Sequence, residues 1–235
     1  MERDSKKFRD FIKNYWRYYR ELEDEFLSIR RYVDFQKDNF GTYSVEFLKL
    51  YQAICSEIDV IGKAMAVELD SSFKPDDGKN NIYKWWYIIQ NKFTVNEEYS
   101  NIESEGIALC ETEVCLIDEF ILRPWKSFVT EEYEDARGSI RYRTVDSKGS
   151  PEWWSAYNKV KHVRTFASGK KATKINYTKA NLGNVCQAFA ALYILEKSYM
   201  QALGNKSELE AFAEYSVLFD KIENVTSADI DKMFE

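Results

Sequence analysis

The chain has 235 residues, 45% hydrophobic and 16% aromatic, enough apolar material for one large core. Its 33 Lys and Arg face 39 Asp and Glu, and the net charge of −6 excludes indiscriminate coating of nucleic acid. No apolar run approaches the roughly 18 residues that a membrane-spanning helix requires, so no membrane association is expected.

The N-terminus, Met1 to Lys7, leads into an amphipathic stretch rather than an apolar signal core, and a cytoplasmic protein is expected. Cys55, Cys110, Cys115 and Cys186 include no CxxC pair and are expected to be reduced, mostly buried thiols. Cys110, Cys115 and His162 do not have the spacing of a zinc framework and lack a fourth ligand, so neither metal nor cofactor is expected.

Taken in chain order, Phe8, Phe11, Ile12, Tyr15, Trp16, Tyr19, Leu22, Phe26, Ile29 and Val33 recur at helical steps. They predict one long amphipathic helix from about Ser5 to Gln36. After a turn at Gly41 and Thr42, Val45 to Met65 repeats the pattern and stops before Lys74-Pro75. Two long helices joined by a short connection are expected to pack antiparallel. A third helix, about Asn81 to Lys92, carries Trp85 and Trp86. Adjacent residues point about 100° apart on a helix, which predicts one indole in the core and the other at a seam or partner.

Between Thr94 and Phe128 the period changes. A small β-rich insertion is expected there, with Ile107 to Leu109 pairing with Val114 to Leu122. Thr130 to Gly149 is polar and reads as a mobile loop. Ser150 as N-cap and Pro151 in the first helical position open the next helix, which should fray near Ser168-Gly169. A further helix runs from about Thr178 to Leu203 with Gly204 as C-cap. Ser207 and Glu210 have capping-box spacing for a shorter helix to about Tyr215. Val217 to Phe219 reads as extended and Ala228 to Phe234 as a last helical turn or two. Residues 1–235 thus read as a single, mainly α domain, a bundle of long antiparallel helices with a small β-hairpin insertion at about 94–128.

One feature of the charge pattern points to a site. Between Arg137 and Lys179 there are eleven Lys and Arg but only Asp146 and Glu152, a local charge of +9 in an acidic chain. Such segregation suits a phosphate-bearing ligand or an acidic partner, and equally a solvated basic loop. The single histidine, His162, lies in this stretch. Imidazole is the one side chain that titrates near neutrality unaided, so His162 is the leading candidate for proton transfer. Asn158 sits one turn before it on the same helix face. Tyr157, Lys159, Lys161 and Arg164 surround the pair. Metal-free phosphodiester chemistry needs such an inventory: a base for a 2′-hydroxyl and cations for the developing oxyanion. The plainer reading makes His162 a hydrogen-bonded structural residue and puts Trp153 and Trp154 in the core.

The run Tyr157-Asn158-Lys159-Val160-Lys161-His162 resembles the motif helix of the HEPN superfamily, the higher eukaryotes and prokaryotes nucleotide-binding domains. That motif is Arg, often a polar residue such as Asn, about three further residues, then His. Asn158 and His162 match it, while Tyr157 occupies the arginine position. Arg164 projects from another face and is no substitute. The chain is also similar to bacterial proteins with a Trp-Trp-x-x-Tyr-Asn-x-x-Lys-His segment, here Trp153, Trp154, Tyr157, Asn158, Lys161 and His162.

The resemblance implies a helical bundle and a metal-independent endoribonuclease of phage defence or a toxin–antitoxin system. It implies His162 and Asn158 as catalytic residues and Lys159, Lys161, Arg164 and Tyr157 as RNA or phosphate contacts. It also implies a homodimer that brings two motif helices together, with RNA or a nucleotide as ligand and a protein partner such as an antitoxin. The competing expectation is a non-catalytic interaction or nucleotide-sensing module in which His162 is structural.

Overall fold

The computed structural model describes residues 4–78, 80–93, 109–117, 120–167, 173–204, 206–212 and 216–221. Side-chain oxygens start its main helices. Asp4 accepts from the N–H groups of Lys6 (2.7 Å) and Lys7 (3.2 Å) and opens α1, Ser5–Phe11. Ser44 caps α3, Val45–Leu69, through the Phe47 N–H at 3.1 Å. Asn81 caps α4, Ile82–Lys92, and Asn181 caps the later helix Leu182–Leu203. Each satisfies N–H groups that the first turn of a helix leaves without partners.

The first helical stretch is not the single helix expected from its periodicity. α1 passes through a π-helical turn, Ile12–Trp16, into α2, Arg17–Ser28, and a 3-10 turn at Ile29–Arg31 ends it short of Gln36. The π turn inserts an extra residue into the ladder and re-aims the side chains around it. Trp16, in that turn, and Tyr19, just after it, are fully buried. Leu182–Leu203 is α6, and its contact with α3 is the most extensive between any two described helices.

Near the middle of the chain the strands differ from expectation in position. β1, Val114–Leu116, pairs antiparallel with β2, Phe120–Leu122, and on its other edge with β5, Phe219–Lys221. The expected hairpin therefore folds within 114–122; Leu109 lies in a 3-10 turn, and Ile107 and Ala108 fall outside the described residues. The extended tail expected at Val217 to Phe219 supplies β5. It is held by Glu23, a buried carboxylate on α2 that accepts from the Tyr19 hydroxyl (3.0 Å), the Leu218 N–H (3.1 Å) and the Ser216 hydroxyl. Arg20 neutralises it.

The polar stretch read as a mobile loop is instead a hairpin, β3, Thr130–Glu134, against β4, Ile140–Thr144. Its polarity has a different cause. Both faces are largely solvated, and the charges that hid the strands pair with each other, Arg143 with Glu131 at 2.8 Å and Arg141 with Asp135 at 3.0 Å. Gly138, with φ +72°, makes the turn that an L side chain would strain.

Four indoles bind these parts together. Trp86 stacks on Trp125 at 4.2 Å, Trp125 meets Trp85 and Trp153 edge-on, and the Trp125 N–H reaches the Ala191 carbonyl of α6 at 3.3 Å. Trp85 and Trp86 are both fully buried, so the expectation of one at a seam or partner fails. The second indole has an interior to enter because the segment after β2 folds over α4. Gly62 in α3 lets Trp85 approach; a Cβ there would lie 2.8 Å from the ring.

α5, Glu152–Val163, begins at Pro151 rather than at a Ser150 side-chain cap; the Ser150 hydroxyl lies 3.0 Å from the Ser155 hydroxyl instead. α7, Lys206–Ala211, already includes Ser207, so the expected capping box is not formed. The expected helix at Ala228 to Phe234 and the fraying point at Ser168-Gly169 lie outside the described residues. No described helix is long and apolar enough to cross a membrane.

Candidate functional site on the exposed face of α5

α5 is amphipathic, and its buried side decides where the candidate residues point. Trp153, Trp154, Tyr157 and Val160 turn inward. The Trp153 N–H donates to the Pro124 carbonyl at 2.8 Å, and the Tyr51 hydroxyl of α3 donates to the Trp153 carbonyl. Tyr157 packs against Tyr51 (5.9 Å between ring centroids) and Trp154 (5.3 Å). The two tryptophans therefore serve the core and are not available as stacking platforms for bases.

The opposite side carries the predicted pair. Asn158 is half-buried and His162 exposed, one turn apart, with half-buried Lys159 beside them. Among the described residues His162 has no hydrogen-bond or ion-pair partner. Lys161 is exposed, but its ammonium folds back to 5.6 Å from the Tyr157 ring, a cation–π contact. Arg164 is half-buried, with its Nε 3.4 Å from the Val160 carbonyl.

The end of the helix is tied down by a residue that pattern reading passes over. Asn176, fully buried, donates its side-chain N–H to the Val163 carbonyl at 2.9 Å, and the Tyr177 N–H reaches the Arg164 carbonyl at 3.0 Å. The loop that separates α5 from α6 thus returns to seal the helix C-terminus. Lys161 and His162 lie in that last turn, where positive charge complements the helix dipole.

Tyr157, at the position of the motif arginine, contributes no cation. Burial, with the nearby Cys55 and Asp59, pushes its phenol up to about 12, so it stays protonated at neutral pH. Its place is in the core, and its predicted contact with RNA is incompatible with 6% exposure.

The +9 segment is less uniform than its composition suggests. Arg141, Arg143 and Lys148 form ion pairs with Asp135, Glu131 and Asp146 within the hairpin and its exit turn. Among the described residues of the segment, Arg137, Lys159, Lys161, Arg164, Lys174 and Lys179 have no acidic partner, and Lys159, Lys161 and Arg164 of these lie on or at the end of α5. Among the described residues, His, Cys, Asp and Glu nowhere gather in groups of three suited to a metal ion.

Pattern reading also missed two buried carboxyls, one on α3 and one on α6. Glu196 on α6 is fully buried and Glu57 on α3 nearly so. Burial pushes the Glu57 carboxyl up to about 7; burial, then the neighbouring Glu57 charge, pushes Glu196 well above the usual carboxylate range. A signal was present: Glu57 falls on the stripe of Ile54, Ile58 and Ile61, and Glu196 ends the apolar run Leu192 to Leu195.

No family model matches the chain, and no curated protein or solved structure is significantly similar to it.

Proposed function

We propose that this chain is a cytoplasmic, HEPN-like protein whose α5 face binds RNA or a nucleotide and cleaves RNA without metal. In this reading α3 and α6 are the long antiparallel members of a HEPN-type bundle. Two copies pair through α5, so that each supplies one imidazole to a shared groove. Phage defence or a toxin system, with an antitoxin as protein partner, is the setting the motif suggests.

The observation that carries the proposal is the exposure of His162 one turn from Asn158. Lys159 and Arg164 lie beside them with no described acid to neutralise them. An accessible imidazole can take the proton of a ribose 2′-hydroxyl, Asn158 can orient the ribose, and the cations can hold the phosphate. Lys159 and Arg164 would have to replace the stabilising charge that Tyr157 lacks.

The buried Tyr157 favours a second reading, in which the same face binds RNA or a nucleotide without cutting it. Incubating the purified protein with RNA in chelator separates the two. Cleavage to a 2′,3′-cyclic phosphate, lost in His162→Ala with an unchanged melting temperature, supports the nuclease. Binding without cleavage leaves the sensing module. Cleavage that survives His162→Ala, or a melting temperature several degrees lower, defeats the catalytic role.

A further inference from the structure

With Trp153 and Trp154 in the core, the helix α5 itself presents no flat surface on which a nucleobase can stack. Phe166 supplies one just beyond it. It lies in the turn that follows α5, two residues past Arg164 and four past His162. It is 69% exposed, the one exposed phenylalanine among the described residues, and no described ring packs against it. A phenyl ring held in water forgoes the stabilisation that burial gives.

The backbone under the ring is braced on both sides. The Phe166 N–H donates to the Val163 carbonyl at 3.2 Å, and the Phe166 carbonyl accepts from the Asn176 N–H at 2.9 Å. Asn176 is itself fully buried and holds the Val163 carbonyl through its side chain. Holding the ring against a ligand therefore costs little more than the freedom of its own torsions.

The surroundings are apolar close by and cationic further out. Val163 and Ile175, on the two segments that these bonds join, are also exposed. Tyr177 continues the surface toward Tyr43, which it meets edge-on at 5.6 Å between ring centroids. No Asp or Glu occurs from Trp153 to Leu195, while Lys159, Lys161, Arg164 and Lys174 lie on that stretch.

We propose that Phe166 is the stacking platform for one unpaired nucleobase of the strand bound along α5, so that this face selects single-stranded over duplex RNA. The inference rests on the reading of α5 as an RNA-binding face. A paired base keeps both faces inside the duplex, whereas an unpaired one offers a π surface that a single ring can cover whatever the sequence. Arg164, Lys161 and Lys159, two to seven residues before the ring, then meet the adjoining phosphates. Apolar and basic groups together also suit a lipid surface. Binding there grows with the apolar area inserted, however, and one protruding ring offers little of it.

Fluorescence anisotropy of the full chain at low salt tests this with a labelled oligodeoxyuridylate, which has bases and phosphates but no 2′-hydroxyl through which it could be cut. An abasic strand of the same length and the same strand annealed to its complement are the comparisons. The native chain should bind the base-bearing strand about tenfold tighter than the abasic one, and tighter than the duplex. Phe166→Ala, at a native melting temperature, should erase that preference, and Phe166→Trp should keep it. Equal native affinity for both single strands, or a preference that survives Phe166→Ala, overturns the platform. If Lys159→Ala with Arg164→Ala still weakens both strands, the RNA-binding face stands without it. A loss in Phe166→Ala that falls equally on both strands assigns the ring to the pairing of two copies and overturns the proposal as well. Failure to bind either strand, or the ribo form, sinks both readings; Phe166-dependent binding to phosphatidylserine vesicles in their place marks a lipid surface.

Discussion

Trp125→Ala is expected to lower the stability of the protein by about 3–5 kcal/mol, the usual cost of removing a buried indole from a packed core. Trp125 lies between elements distant in the chain. Its ring covers Trp86 of α4, meets Trp153 of α5, and its N–H is satisfied by the Ala191 carbonyl of α6. Truncation leaves a cavity under three helices and a carbonyl without its donor. Chemical denaturation followed by tryptophan fluorescence measures the loss. The same variant should loosen α5, because Trp153 would lose both its edge-on partner and part of its wall. A cost under about 1 kcal/mol would mean that the four-indole cluster does not anchor α5.

The second large effect depends on pH. The folded-state affinities of Glu57 and Glu196 for protons are raised above their ordinary value of 4.5, Glu57 to about 7. Below 4.5 both glutamates are protonated whether the chain is folded or not, and they do not affect the balance. As pH rises past 4.5 the unfolded chain ionises them while the folded chain resists, so stability falls through pH 7 and continues to fall until Glu196 ionises. Discounted for partial solvent screening, Glu57 alone accounts for on the order of 2 kcal/mol between pH 4.5 and 7. Melting temperature should therefore be several degrees lower at pH 8 than at pH 5.5. Glu196→Gln, which keeps the shape and removes the charge, should flatten that slope and melt higher than the native chain at pH 8. A native chain equally stable at both pH values, or a Glu196→Gln variant with the native slope, contradicts the placement of the pair in a dry interior.

How far the fold was legible depended on whether the deciding force was local. α3, α4 and α6 follow from apolar spacing, although α6 begins at Leu182, beyond the expected start near Thr178, where the Asn181 side chain caps it. The π turn was illegible, because an extra residue in a helix leaves the three- and four-residue steps nearly intact. β3 and β4 were hidden by their charges: Glu131, Arg141 and Arg143 look like loop residues until the strands pair them. β5 joins β1 across about 100 residues, and such pairing leaves no local trace.

The candidate site divides in the same way. That Asn158 and His162 share a helix face follows from spacing alone, and α5 shows it. Which side that face takes depended on Tyr51, Pro124 and Trp125, none of them near it in sequence. Tyr157 looked like part of the site because it fills a motif position, yet its neighbours put it in the core. Glu57 and Glu196 were passed over because charged residues are ordinarily solvated, although both fall on apolar stretches of their helices.

The most direct test of α5 as an RNA-binding face is fluorescence anisotropy with a labelled single-stranded RNA, titrated at several salt concentrations. Lys159→Ala combined with Arg164→Ala should weaken binding about tenfold or more. The logarithmic salt dependence should become shallower by roughly 0.7 for each phosphate that the two cations neutralise in the native chain. Native affinity and an unchanged salt slope in that variant, or no binding by the native chain at low salt, would contradict the assignment.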